Sequence, residues 1–145
     1  MYRIASVDSI LKKIGLDNGV IESIVDESVF SGLTYIELCR ECGEYRVCLL
    51  TKVMPVDVDE YSVVASGLTI IVDRDKVFDE TIEKIMCRST VIKYQGNRVF
   101  FYIPVEYMLY IYNKICSSIE NKRYEIRSIS DEDLLNQIGE ENDSF

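Results

Sequence analysis

Apolar residues recur at helical spacing near the start of the chain, where Ile10, Leu11 and Ile14 precede Gly15. The pattern predicts a short helix capped by Ser6 and closed by Gly15, because glycine takes the left-handed closing conformation at little steric cost. Asn18-Gly19 reads as a turn. Over residues 20–30, Val20, Ile21, Ile24, Val25 and Val29 fit a helix, but the run is β-branched and a strand stays open. Period-two alternation then takes over. Residues 32–40 and 45–53 predict a hairpin around Glu41-Cys42-Gly43-Glu44. In its second arm Tyr45, Val47, Leu49, Thr51 and Val53 share one face, and Arg46, Cys48, Leu50 and Lys52 share the other. Residues 54–60, with Pro55, Asp57, Asp59 and Glu60, read as a surface connection. Residues 63–72 are almost continuously apolar, as in a central strand, with Ser66-Gly67 marking a bulge or bend.

Residues 73–88 carry the clearest helical stripe, Val77, Phe78, Thr81, Ile82, Ile85 and Met86, behind a cap at Asp73 or Asp75. Gly96-Asn97 then joins two strands as a two-residue turn, which fixes the pairing. Gln95 faces Arg98, Tyr94 faces Val99, Lys93 faces Phe100, Ile92 faces Phe101 and Val91 faces Tyr102. Ile92, Tyr94, Val99, Phe101 and Ile103 make a core face, and Val91, Lys93, Gln95, Arg98, Phe100 and Tyr102 make the other. Pro104 opens a long helix that runs to about Lys122. Its buried stripe is Val105, Met108, Leu109, Tyr112, Ile115, Cys116 and Ile119, with Tyr107, Tyr110 and Ile111 on the back. A helix apolar on every side is buried on every side, so either the domain wraps it or another subunit covers Tyr107, Tyr110 and Ile111. Residues 124–129 predict a last strand, and residues 131–138 a short acidic helix.

The resulting β-β-β-α-β-β order predicts an α+β domain, either a small mixed sheet or an OB-like barrel. An N-terminal helix and the long C-terminal helix pack on it. Residues 1–138 form this single domain, and residues 139–145 an acidic, flexible tail. The length of 145 residues and the 48% hydrophobic content suit one core.

Charge narrows the function classes. The net charge is −9, and from Glu106 onward nine acids face four bases. A duplex-DNA coat needs a basic footprint that this chain lacks as a whole. There is no histidine, hence no Ser-His or Cys-His couple and no imidazole metal ligand. Walker, dinucleotide and GxSxG signatures are missing too, and the cluster Asp57, Asp59 and Glu60 reads as solvated. No run is long enough to span a membrane and the first residues lack a signal-peptide core, so a cytoplasmic protein is expected. Few glutamines and many Ile, Val, Tyr, Glu and Lys lean toward a heat-adapted source, in which intracellular disulfides are admissible.

Cys39-Arg-Glu-Cys42-Gly43 resembles a zinc-ribbon knuckle, in which two thiolates bracket a turn. Cys87, on the polar side of its helix, would help complete a zinc site, whereas Cys116 falls in an apolar stripe. The alternative is ordinary small thiols, with a Cys39–Cys42 disulfide if the source is heat-adapted. Residues 42–47 and 66–73 also resemble the middle of A-type iron–sulfur carriers, whose paired C-terminal cysteines are absent here. Lys93 and Arg98 beside Phe100 and Tyr102 form either a surface on which single-stranded bases stack or a layer packed beneath a helix. The last residues, acidic and ending on Phe145, resemble the docking tip of single-stranded-DNA-binding proteins, which implies a protein partner. The expected function is binding without catalysis, in an oligomeric or adaptor component of an intracellular, nucleic-acid-handling assembly. A cysteine-ligated zinc or iron–sulfur protein and an OB-type single-strand binder are the alternatives. The main expectation carries no cofactor, and zinc is the alternative.

Overall fold

The alternating segments pair into one sheet in the computed structural model, which describes residues 2–76, 80–117 and 123–139. The order is β1 (Arg3–Val7), α1 (Ser9–Ile14), α2 (Asn18–Ser31), β2 (Tyr35–Cys42), β3 (Tyr45–Asp57) and β4 (Glu60–Asp73). A 3-10 turn at Arg74–Lys76 follows, then α3 (Glu80–Arg88), β5 (Val91–Gln95), β6 (Arg98–Ile103), α4 (Val105–Cys116), β7 (Glu125–Ile129) and α5 (Asp131–Gly139). The seven strands run β5-β6-β4-β3-β2-β7, with β1 added to β4. All ladders are antiparallel except β1 on β4.

β4 organises the sheet. Its first half pairs with β1 and its second half with β6, while β3 follows it along the other side. The change of partner falls at Ser66-Gly67, where the β3–β4 register slips between Leu50 and Thr51. An extra residue in one strand bends it and increases its twist, which is the role the sequence suggests for this dipeptide. The sheet does not close, so the barrel expectation is corrected. Closure would bring the β5–β6 hairpin round to the free side of β2, but β7 already occupies that side.

One face carries the core. Ile36, Leu38 and Cys42 of β2, Val47, Leu49 and Val53 of β3, Leu68, Ile70 and Val72 of β4, and Val99, Phe101 and Ile103 of β6 are all buried in one cluster. The helices supply its other side with Leu11, Ile21, Ile24, Val25, Ile82, Ile85, Met108, Ile111 and Ile115. Arg40 also points inward, with its guanidinium 2.8 Å from the Tyr112 hydroxyl and over the ring of Tyr124. Burial, then the hydrogen bond with Tyr112, pushes the Tyr124 phenol up to about 12.

Several boundaries move for physical reasons. Ser6 does not cap α1. Residues 3–7 add to the edge of β4, and Asp8 caps the helix by accepting from the Ile10 N–H at 3.0 Å. Asn18-Gly19 is the first turn of α2 rather than a loop, because Asp17 caps it one step earlier. The run 20–30 is helical, so burial of Ile21, Ile24 and Val25 at helical spacing prevails over β-branching. Residues 54–60 are not a surface loop. β3 continues to Asp57, and a tight turn at Val58-Asp59, with Asp59 at φ 53°, returns the chain. The Gly96-Asn97 hairpin has the register that the two-residue turn dictates, pair for pair. Pro104 sits at the N-cap of α4, which is described as far as Ser117. The tail 140–145, with Phe145, lies outside the described residues. No helix among the described residues is long and apolar enough to cross a membrane.

Candidate functional site: the open face of the sheet

Strand alternation sends a second set of side chains to the face opposite the core. The registers align them in rows across the sheet. Glu125, Cys39, Cys48, Thr69, Tyr102 and Val91 lie along one row. Glu41, Arg46, Ile71, Phe100 and Lys93 lie along the next. Asp73, Arg98 and Gln95 end the series at the hairpin turn. Cys48, Thr69 and Tyr102 of the first row, the whole of the second, and Arg98 and Gln95 line a concavity of about 780 Å³. Phe100 packs on a small apolar floor of Cys39, Cys48 and Ile71. At the far end α5 leans over the same face, with Leu134 beside Tyr102 and Glu37 in a smaller recess. Ser130 caps that helix at the Asp133 N–H, 3.1 Å away.

The β2–β7 half of the face is electrostatically paired. Arg46 donates to Glu41 at 2.8 Å and to Glu125 at 2.7 Å. The bond to Glu125, then that to Glu41, raises the Arg46 pKa, and Arg46 holds the Glu125 carboxyl below its usual range. Arg127 donates through Nε at 2.8 Å to Glu37, whose side chain is 5% exposed. On the β5–β6 half, Lys93 and Arg98 flank the half-buried rings of Phe100 and Tyr102. The structure therefore brings together all four residues of the sequence's nucleic-acid surface. Among the described residues, α5 covers them at one end, and no helix lies along their length.

The cysteines are arranged differently from the expectation. Cys39 and Cys42 are an odd number of positions apart on one strand and so point to opposite faces. Neither a zinc knuckle nor a disulfide between them fits β2. Cys39 is instead bonded to Cys48 directly across the hairpin, with Cα atoms 4.1 Å apart. Cys42 is bonded to Cys116 of α4 through the core, with Cα atoms 5.3 Å apart. Cys87 is exposed on α3 and shares no site with them. The ligand set Cys39, Cys42 and Cys87 is thus dispersed.

The α4 surface also needs correction. Ile111 is fully buried in the chain's own core, in one cluster with Met108, Tyr112 and Ile115. Tyr107 and Tyr110 stay 43% and 45% exposed. The Arg88 guanidinium lies 4.4 Å from the Tyr110 ring centroid and 6.0 Å from that of Tyr107.

Sequence reasoning passed over Glu37, Arg46, Cys48 and Arg127. For Cys48 a signal existed. A two-residue turn at Gly43-Glu44 places Cys39 opposite Cys48 by simple counting. For Arg127 there was none, since the pairing of β7 with β2 joins residues far apart in the chain. Comparison with known proteins adds no relative: no family model matches the chain, and no curated protein or solved structure is significantly similar to it.

Proposed function

We propose that the protein acts by binding rather than by catalysis, and that its ligand is a single-stranded nucleic acid laid on the β5–β6 half of the open face. The observation that carries this reading is the convergence of Lys93, Arg98, Phe100 and Tyr102 on one exposed concavity. The acids Glu37 and Glu41 on that face are paired with Arg127 and Arg46, while Lys93 and Arg98 lie beside the rings, with Asp73 opposite Arg98 in register. Flat rings on a sheet accept any base by stacking, and two bases of one sign fix the backbone beside them. A heat-adapted cytoplasm fits both this role and two disulfides in one small domain.

Fluorescence anisotropy of a labelled oligothymidylate tests the reading. Binding at low salt is expected, with log K falling against log salt at a slope of about −1.4 for two phosphate contacts. Phe100→Ala is expected to cost about 1–3 kcal/mol, the usual worth of one stacked base. Lys93→Ala should flatten the salt slope by about 0.7. Absence of binding at low salt, or binding indifferent to all these changes, would overturn it.

A second reading rests on the part-exposed rings of Tyr107 and Tyr110 on α4, with the Arg88 guanidinium against both, a small surface that a second copy or an adaptor partner would cover. Light scattering after size exclusion checks it. A dimer that Tyr107→Asp dissociates supports a self-contact, and a monomeric wild type removes it.

A further inference from the structure

The floor of the open face holds a donor set that the nucleic-acid reading does not use. Glu37 and Cys39 are two positions apart on β2 and share a face, and Cys48 is the ladder partner of Cys39 on β3. One donor atom from each lies within 4.8 Å of the other two, and all three residues are buried. The Glu37 Oε1 atom sits 3.3 Å from Cys39 Sγ, a distance that makes a hydrogen bond only when Cys39 carries a thiol proton. Arg127 fixes that carboxylate from the neighbouring strand, directly opposite in register. Cys48 and Glu37 line the concavity, so one side of the cluster opens to solvent.

We infer that the reduced protein binds one divalent zinc-class ion through Cys39, Cys48 and Glu37, and that the Cys39–Cys48 disulfide is the form that excludes it. Two thiolates and a carboxylate suit a borderline-soft ion, and three protein ligands with one open position make a site that keeps a water molecule or takes a ligand. Disulfide sulfurs lack the thiolate charge and do not compete for such an ion. The gating step balances. A dithiol reductant supplies two electrons and two protons, the S–S bond breaks, two S–H bonds form, and the reductant leaves as its own disulfide. The ion then displaces both thiol protons to solvent. Two thiolates and a carboxylate exceed the charge of the ion by one, and the Arg127 guanidinium offsets the remainder.

The test uses the full chain, reduced under anaerobic conditions with a phosphine and titrated with cobalt(II) as a spectroscopic stand-in for zinc. One equivalent with sulfur-to-cobalt charge-transfer and tetrahedral visible bands is expected, and none in the oxidised chain. Cys48→Ala should abolish the charge-transfer signal, and Glu37→Gln, which replaces an anionic ligand by a neutral amide, should weaken cobalt binding. Alkylation of the reduced wild type, read by mass spectrometry, guards against a variant that fails to fold. Zinc should shield Cys39 and Cys48 but leave Cys87 reactive. No cobalt bound by the reduced chain, unchanged binding in Cys48→Ala, or equal alkylation with and without zinc would each overturn the site.

Discussion

Ile111→Asp is expected to leave the chain unfolded at room temperature, whereas Tyr107→Asp, one helical turn away, is expected to change stability by less than about 1 kcal/mol. Ile111 is 0% exposed and packs with Met108, Tyr112 and Ile115 in the cluster between α4 and the sheet. Truncating such a side chain costs about 2–5 kcal/mol through lost burial and the cavity left behind. An aspartate adds the cost of holding a carboxyl group in an apolar site with no partner, about 1–3 kcal/mol or more. The sum rivals the whole stability of a domain this size, about 5–15 kcal/mol. Urea denaturation followed by far-UV circular dichroism reads the effect, and Ile111→Val, at about 0.5–1.5 kcal/mol, calibrates it. A folded Ile111→Asp of near-native stability would show that the residue faces outward, as the helical wheel alone suggests.

The error behind that wheel shows where sequence reading stops. Spacing identifies a face, but not how wide a face the rest of the chain will cover. The Ile111 side of α4 looked unclaimed because nothing local to residues 104–117 reveals how the sheet and α1, more than ninety positions earlier, pack against the helix. The same limit explains the barrel. The order β-β-β-α-β-β holds for the middle of the chain, β2 to β6, and the sheet is open, with β7 paired to the other side of β2. Local rules were sufficient where the constraint was local. The turn at Gly96-Asn97 determined every pair of the β5–β6 hairpin, and so put Lys93, Arg98, Phe100 and Tyr102 on one face. Whether that face would be roofed depended on distant helices, all but α5 of which gather on the core side. The cysteines divide in the same way. The Cys39–Cys48 bond follows from the register of its own hairpin, while Cys42–Cys116 joins positions that only the packed fold brings together.

Removing the Cys42–Cys116 bond is expected to cost clearly more than removing Cys39–Cys48. A cross-link restricts the unfolded chain according to the loop it closes, and the two bonds span 74 and 9 positions. The chain-entropy estimate is about 4.5 kcal/mol for the long loop and about 2.5 kcal/mol for the short one. Native geometry points the same way. Cys42–Cys116 ties the end of β2 to the end of α4, elements with no backbone ladder between them. Cys39–Cys48 joins strands already paired over eight residues on either side of one turn, so the fold holds its ends together without it. The pairs Cys42→Ala/Cys116→Ala and Cys39→Ala/Cys48→Ala avoid leaving a buried hydroxyl, and their urea midpoints give the comparison at equal denaturant slope. Equal losses, or the reverse order, would remove the argument. The expected order has a consequence for the zinc-class site. The bond that must open to admit the ion is the one whose opening costs the fold less, so opening it alone is expected to leave a folded sheet with Cys39, Cys48 and Glu37 still in register. The bond that secures α4 to that sheet lies on the opposite, core-facing side.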